Sequence, residues 1–217
     1  MRSLQSVLVC EGRTDEWLLP VLLQRATHAI CLETFPGDVE VRDVRVLRAD
    51  HQIPAEIVAA VLRERGAFDV LLYHHDGAPR RTAEQKIAEV RAALDKAGVT
   101  EDCVSVVPVR ETEVWILADP RTLAMALSVP EDRVRALVPA QATQAEGVPD
   151  PKAVLGQVMR SLVRRHRRVR PDGDDVERYF SEIAENLNIP LLREVPAFGD
   201  WWNEMVRALD RLGFRYG

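Results

Sequence analysis

The sequence lacks any excess of positive charge, which removes one simple sign of nucleic-acid binding. Its 217 residues include 29 Lys and Arg against 34 Asp and Glu, for a formal net charge of −5. A local basic face can still exist within an acidic total, so composition neither predicts nor excludes such a partner. Hydrophobic residues make up 47% of the chain, which predicts a folded globular protein and excludes a disordered one.

Cysteines are few, and long apolar runs are absent. The three cysteines, Cys10, Cys31 and Cys103, have no paired spacing, and two of them fall in strand-like apolar runs. We therefore expect them to be small core residues in a reduced cytoplasm. No stretch is long enough to cross a bilayer, and the first strand begins so close to Met1 that it leaves no room for a signal peptide. These features predict a cytoplasmic protein without a membrane partner.

Strand and helix patterns alternate through the first part of the chain. Residues 6–10 are typical of a buried strand that leads into a tight turn, and Thr14 and Thr82 are the expected N-caps of two helices. Residues 39–47 alternate apolar and polar with a phase slip near Asp43, which predicts a bulged second strand. The remaining expected elements are helices at 14–28, 54–65, 83–97 and 111–119 and strands at 68–73 and 103–109.

The last part of the chain has only helical patterns. A polar loop at residues 140–150 is the best candidate for a boundary within the chain. We predict an α/β domain over residues 1–139, with a mostly parallel sheet flanked by helices, and an all-α C-terminal extension over residues 150–217. The aromatic pair Trp201-Trp202 is expected to dock the extension onto the sheet domain. Its longer helices are expected at 151–166, 174–187 and 197–213.

Carboxylates follow three of the predicted strands. Glu11 comes after the first strand, Asp76 after the third, and Glu111 with Glu113 after the fourth. In a parallel sheet these strand ends lie at one edge, where the acids can converge and a hard cation such as Mg²⁺ or Mn²⁺ would relieve their repulsion. The alternative is that Glu111 and Asp15 are ordinary acids in the first turn of a helix and Asp76 is a turn residue.

Three segments resemble known motifs when they are taken in order. Residues 9–15, Val-Cys-Glu-Gly-Arg-Thr-Asp, resemble the first Toprim motif, and residues 72–77, Leu-Tyr-His-His-Asp-Gly, resemble the second, which ends in an Asp-x-Asp pair. Residues 113–119, Glu-Val-Trp-Ile-Leu-Ala-Asp, are similar to a signature of a bacterial Toprim-like group, domain of unknown function 4276. The segments 150–152 and 196–198 also resemble its C-terminal helical part, so the resemblance covers nearly the whole chain.

The resemblance implies a Toprim-like fold, which is shared by topoisomerases, bacterial primases and overcoming-lysogenization-defect nucleases. It implies that Glu11 is a general acid or base and that Asp76 holds Mg²⁺, with Glu113 as the third acid. Asp15 would be a ligand of a second ion. The Asp-x-Asp pair is incomplete, because its other position is occupied by Ala78 or by His74, depending on which Asp of the pair Asp76 matches.

The expected function is a Mg²⁺-dependent nuclease or a related phosphoryl-transfer enzyme that acts on nucleic acid. The family context implies a bacterial defence or mobile-element system with an ATPase partner protein. One alternative is a non-catalytic, degenerate Toprim module that binds nucleic acid or the ATPase. A further alternative is a small phosphotransfer or nucleotide-hydrolysing enzyme that uses the same acids.

Basic and imidazole side chains supply the remaining candidates. Arg80 and Arg81 follow the second motif, where they can meet phosphates or lie on a solvated helix end. His74 and His75 precede Asp76, and strand alternation places one of them on the side of the site. A basic run at residues 160–170 would contact phosphates in a salt-sensitive manner, or it is a helix C-terminus neutralised by the acids at 172–177. The residues of this run proposed to bind nucleic acid are Arg164, Arg165, Arg167 and Arg168.

Overall fold

The structure is a computed structural model that describes residues 2–35, 39–77, 79–163 and 173–214. Its strands are β1 (Arg2–Leu4), β2 (Ser6–Val9), β3 (Val39–Val41), β4 (Arg45–Val46), β5 (Val70–His74) and β6 (Asp102–Val106). Its helices are α1 (Arg13–Thr34), α2 (Pro54–Arg63), α3 (Arg80–Lys96), α4 (Glu113–Leu117), α5 (Pro120–Ala126), α6 (Glu131–Arg135), α7 (Pro151–Val163), α8 (Gly173–Asn186), α9 (Ile189–Leu192) and α10 (Pro196–Arg211). A 3-10 helix, Ala142–Gly147, lies within the predicted polar loop.

All strand pairs in the described residues are parallel. Four strands form a sheet in the order β4-β2-β5-β6, and β1 pairs with β3 in a smaller sheet. The predicted strand at 39–47 is interrupted near Asp43, as the phase slip indicated. The Gln5 side chain donates to the Asp43 backbone oxygen at 2.8 Å, which joins this interruption to the break between β1 and β2. The predicted fold class, a parallel sheet flanked by helices with further helices at the C-terminus, is confirmed.

The two central strands are buried along their whole length because helices cover both faces of the sheet. Alternate side chains sort onto opposite faces. Val7 and Tyr73 belong to the cluster formed with α2 and α3, whereas Leu8 and Leu72 belong to the cluster formed with α1 and the C-terminal helices. Continuous apolar runs in β2 and β5 are therefore explained by two covered faces.

Two predicted helix starts are wrong. Thr14 and Thr82 lie inside α1 and α3, whose N-caps are Gly12 and Pro79. At α1 the Asp15 carboxylate accepts the Gly12 backbone N–H at 2.9 Å, and the N-cap lies two residues before the predicted Thr14. At α3 the Pro79 carbonyl accepts the backbone N–H groups of the next turn, so the helix begins directly after it.

The C-terminal helices share one hydrophobic core with the sheet. Helix α8 packs on α1, and α10 packs along the edge strand β6. Trp201 and Trp202 are both buried, and Phe198 contacts both Trp115 and Trp201 with ring centroids 5.2 Å apart in each pair. Because Trp115 belongs to α4, this aromatic chain ties the C-terminal helices to the segment that carries Glu113. No described helix combines the length and the apolar character needed to cross a membrane.

Candidate functional site

The predicted carboxylates lie together at the C-terminal edge of the sheet. Parallel β2 and β5 place Glu11 and Asp76 side by side, and the Asp76 backbone N–H donates to the Glu11 Oε2 at 3.3 Å. Burial, followed by the negative charges of the other carboxylates at this edge, raises the pKa of Asp76 to about 7. The structure thus brings five acids within electrostatic range of one another: Glu11, Asp15, Asp76, Glu111 and Glu113.

Asp15 has structural contacts for both carboxylate oxygens. Its Oδ2 accepts the Gly12 N–H, and its Oδ1 accepts the Thr112 hydroxyl. The side chain is only 7% exposed, and it joins the start of α1 to the residue that precedes α4. Asp15 therefore caps the N-terminus of α1, which was the alternative to a metal-binding role. Its role as a ligand of a second ion stays a prediction.

His74 is fully buried between two of the acids. Its Nδ1 lies 3.8 Å from the Asp15 Oδ2, and its Nε2 lies 3.7 Å from the Asp76 Oδ1. Burial lowers the pKa of His74, so the ring is neutral at pH 7. The Glu11 backbone N–H points at Nδ1 at 3.5 Å, which assigns the ring proton to Nε2 on the Asp76 side. Of the two adjacent histidines, His74 is the one that faces the carboxylates.

The segment after Asp76 is held by a close approach of two backbones. Gly77 donates its N–H to the Arg110 carbonyl oxygen at 3.1 Å. A Cβ atom on Gly77 would lie 1.9 Å from the Pro108 carbonyl oxygen, so no larger residue fits there. This contact joins the end of β5 to the segment after β6, and it sets the distance between Asp76 and the acids that follow β6.

Glu111 and Glu113 approach the site from the segment after β6. Glu113 begins α4 and is 4% exposed, and burial raises the pKa of its carboxyl group. Lys152 opposes that shift as the nearby positive charge. The Glu111 Oε2 accepts the Lys152 backbone N–H at 3.2 Å, so it occupies the N-terminus of α7. A cavity of about 250 Å³ opens beside these residues, lined by Asp76, Arg110, Glu111, Pro149, Asp150 and Pro151.

Sequence reasoning did not find His51, whose Nε2 lies 3.5 Å from the Glu11 Oε1. This residue follows β4, the strand next to β2, so it reaches the same edge of the sheet as Glu11. The signal was available, because a polar side chain shortly after a predicted strand is the pattern that identified the acids. It was missed because His51 lies in the loop several residues beyond the end of β4 at Val46, whereas Glu11 and Asp76 follow the ends of their strands almost directly.

The predicted phosphate-binding residues are described only in part. Arg80 and Arg81 lie in the first turn of α3, and the Arg80 guanidinium pairs with Glu84 at 2.8 Å on the exposed face of the helix. Residues 164–170 of the basic run fall outside the described residues, so the structure does not place Arg164, Arg165, Arg167 or Arg168.

The donor set suits a hard cation, although the carboxylates do not form a closed cage. Across the described ranges, no three His, Cys, Asp or Glu side chains stand in an arrangement that could by themselves hold an ion. Mg²⁺ usually keeps several waters and binds through one or two carboxylates plus substrate phosphates, so it does not require such a cage. Acids whose proton affinity rises through mutual repulsion are suitable oxygen ligands for this mode of binding.

Thiol chemistry has no support at this edge. Cys10 directly precedes Glu11, and burial together with the Asp15 and Glu16 charges raises the pKa of its thiol to about 12. Cys31 and Cys103 are also free thiols whose pKa is raised by burial to about 11. All three are therefore protonated near neutral pH, in agreement with their interpretation as core residues.

The model of the family described as Domain of unknown function (DUF4276) matches residues 10–206. The match includes Glu11, Asp76 and Glu113. No curated protein and no solved structure matches the chain. The wider Toprim relationship therefore stays a prediction, which rests on the motifs and on the parallel sheet.

Proposed function

This chain belongs to the family of domain of unknown function 4276, and we propose that it is a Mg²⁺- or Mn²⁺-dependent nuclease or a related phosphoryl-transfer enzyme acting on nucleic acid. The observation that carries the proposal is the convergence of acids around Asp76. Its pKa of about 7 reflects burial and like charges that a divalent cation would neutralise. A metal ion held by such a cluster would serve phosphoryl transfer, because it would also neutralise the negative charge that the substrate brings to the same place.

In this proposal Asp76 and Glu113 hold the metal ion, with Glu111 at the rim and Asp15 toward a second ion. The bound ion would supply charge stabilisation for the phosphoryl group and lower the pKa of a coordinated water. Glu11 orients the attacking water and accepts its proton, since its carboxylate is 31% exposed and reaches the edge of the cluster. The Nε2 atom of neutral His74 faces the Asp76 Oδ1 at 3.7 Å.

The nucleic-acid backbone would be held by basic side chains beside the acids. Arg81, Arg80 and the basic run at 164–168 are the proposed contacts, and Arg80 would exchange its partner Glu84 for a phosphate. The proposed setting is the bacterial cytoplasm, within a defence or mobile-element system that includes an ATPase partner. The absence of any disulfide among the three cysteines supports a reduced compartment.

A second candidate function is a non-catalytic module that binds nucleic acid or the ATPase partner. It is favoured by the composition of the second motif, where a buried neutral His74 stands two residues before Asp76. It is also favoured by the lack of a complete three-ligand group within the described part of the chain. In this function the same acids would take no part in catalysis and would contribute only to the structure of the sheet edge.

A cleavage assay separates the two functions. Purified protein is incubated with plasmid, single-stranded DNA and RNA, with Mg²⁺, with Mn²⁺ or with EDTA. We expect metal-dependent cleavage that falls by roughly 10²-fold or more in Glu11→Gln and Asp76→Asn. Glu40→Gln, an exposed glutamate on β3, serves as the control and should cleave like the wild type.

Cleavage that is absent with both metals, or that survives the two site substitutions, contradicts the nuclease mechanism. Binding to the same nucleic acids is then measured as a function of salt. A steep loss of affinity between low and moderate salt supports the binding module, because released counterions dominate such interfaces. The absence of salt-sensitive binding would contradict the nucleic-acid-binding module and leave only the version that binds the ATPase partner.

A further inference from the structure

His51 enters the carboxylate site from a loop that the motifs do not cover. Its side chain is 13% exposed, and its Nε2 faces the Glu11 Oε1 at 3.5 Å. The Nε2 atom is out of contact with solvent, and it forms no hydrogen bond of ordinary geometry to any described residue. Buried nitrogen atoms in proteins almost always have a partner, so Glu11 is the acceptor that this ring is placed to meet.

The loop that carries His51 is built to hold it in place. The Asp50 side chain accepts the Gln52 N–H at 2.9 Å, and the Glu56 side chain accepts the Asp50 N–H at 3.2 Å. The Tyr73 hydroxyl donates to the His51 carbonyl oxygen at 2.8 Å, which anchors the loop to central strand β5. These contacts fix the backbone of His51 relative to the sheet edge.

The ring itself is also confined. The His75 ring lies edge-on to it, with centroids 6.0 Å apart, and the His75 ring in turn packs against Tyr73 at 6.5 Å. On the other side the His51 Nδ1 lies 4.0 Å from the exposed Asp50 carboxylate. In this arrangement the Nε2 atom points at the Glu11 carboxylate.

We propose that His51 is a positioning residue that orients Glu11 through its Nε2–H. The two Glu11 oxygens would then have separate donors, with Oε1 held by His51 and Oε2 held by the Asp76 backbone N–H. A carboxylate held at both oxygens has a fixed plane, which is what a group that accepts a proton from water requires. The role of Glu11 in catalysis rests on the proposed function, whereas the pairing itself does not.

The pairing is tested without metal or substrate by proton NMR of the imidazole groups. A hydrogen-bonded, buried Nε2–H exchanges slowly with water, so we expect a downfield resonance that disappears in His51→Gln. The same resonance should also disappear in Glu11→Ala, and it should persist in His28→Gln, which changes an exposed histidine on α1. A His51 resonance that is unchanged in Glu11→Ala, or that never appears in the wild type, overturns the proposal.

The positioning role is tested by the kinetics of cleavage. His51→Leu removes the donor, and we expect kcat to fall about 10-fold or more with little change in KM. His51→Gln keeps an amide N–H at similar reach and should recover part of the loss. Equal losses in both variants, or a loss confined to KM, would contradict positioning. If the wild type does not cleave, the proposed function fails while the NMR result still decides whether His51 and Glu11 are paired.

Discussion

Two sets of acids in this molecule differ in the hydrogen-bond donors that surround them. Under the C-terminal helices, Asp119 accepts the Thr122 and Asn188 backbone N–H groups at 3.0 Å each. Glu204 likewise accepts the Ser105 hydroxyl at 2.7 Å and pairs with Arg91. At the sheet edge, by contrast, the Asp76 carboxylate accepts no hydrogen bond from a described residue, and the His74 Nε2 lies 3.7 Å from its Oδ1.

This difference separates Asp119 and Glu204, as structural acids, from Asp76, as a candidate functional acid. By the same criterion Asp15, which has a donor at each oxygen, belongs with the structural acids although it lies at the sheet edge. A buried carboxylate with several donors stabilises the elements that supply them, and its removal leaves those donors unpaired. A carboxylate with few donors and several like charges is destabilising in the apo protein, so its presence indicates a cation or a proton as the missing partner. The seven-residue segment 113–119 contains both kinds, since it begins with Glu113 in the site and ends with Asp119 as a cap.

The largest effect is expected from the backbone that positions the sheet-edge acids. Gly77→Ala would place a Cβ 1.9 Å from the Pro108 oxygen and 2.8 Å from the Val109 oxygen. Neither contact involves a flexible side chain, so we expect a loss of about 3 kcal/mol in the free energy of unfolding, measured with urea. Gly147→Ala is the control, because nothing lies within 4 Å of its added Cβ. A difference below about 0.5 kcal/mol between the two variants would contradict this close approach.

The next effect concerns a structural acid. Asp119→Ala leaves the Thr122 N–H of α5 and the Asn188 N–H without an acceptor, and Asp119 is only 3% exposed. We expect a loss of about 1–3 kcal/mol in the free energy of unfolding. Asp132→Ala, which changes an exposed acid in the first turn of α6, should cost far less. Equal losses would show that Asp119 does not hold the two segments together.

A cation should distinguish the two sets of acids. At ten times its dissociation constant, Mg²⁺ that binds only the folded state adds about 1.4 kcal/mol to the free energy of unfolding. We expect this gain, followed as a rise in Tm with MgCl₂, in the wild type and in Asp119→Asn, and its loss in Asp76→Asn. The same rise in all three proteins would show that Mg²⁺ acts elsewhere, and no rise in any would remove the metal from the proposal.

The sequence predicted the parts of this arrangement that depend on local pattern. The apolar run of β5 and the acids placed after β2 and β5 identify the sheet edge, because side-chain burial and strand ends are local properties. Contacts between distant segments were not predictable in this way. The Thr112 hydroxyl reaches Asp15 from a segment 97 residues further along the chain, and the approach of His51 to Glu11 depends on how the loop after β4 folds onto β5.

Asp119 shows a different limit of the sequence. As the last residue of the third motif it could equally have joined the site, and only its two backbone donors reveal that it is a cap. A motif records which residues occur together, but it does not record which of them share a function. The incomplete Asp-x-Asp pair shows the same limit. The motif does not tell whether its missing Asp corresponds to Ala78 or to His74, and the structure places the buried His74 beside Asp76.

The smallest expected effect follows from the pKa of Asp76. In the folded protein it is raised from 3.8 to about 7, mainly by burial and then by Glu11, so the folded state keeps a proton that the unfolded chain has released. The stability of the wild type should therefore fall between pH 4 and pH 7, and the full penalty is present above pH 7. Asp76→Asn cannot ionise, so without metal it should be more stable than the wild type at pH 8 and equal to it near pH 4. Because a third of the side chain is exposed, we expect only about 1 kcal/mol, or about 2–4 °C in Tm.

The measurement is the Tm of both proteins at pH 4, 6 and 8 in EDTA, with Asp132→Asn as an exposed control that should show no such trend. If the Tm of Asp76→Asn exceeds that of the wild type by more as the pH rises, the ionised Asp76 carboxylate destabilises the metal-free protein. This is expected of a residue retained for a bound cation. If Asp76→Asn instead has a lower Tm than the wild type at pH 8, Asp76 stabilises the fold as Asp119 does. The distinction between the two sets of acids would then fail at its central residue, and with it the main argument for a metal at the sheet edge.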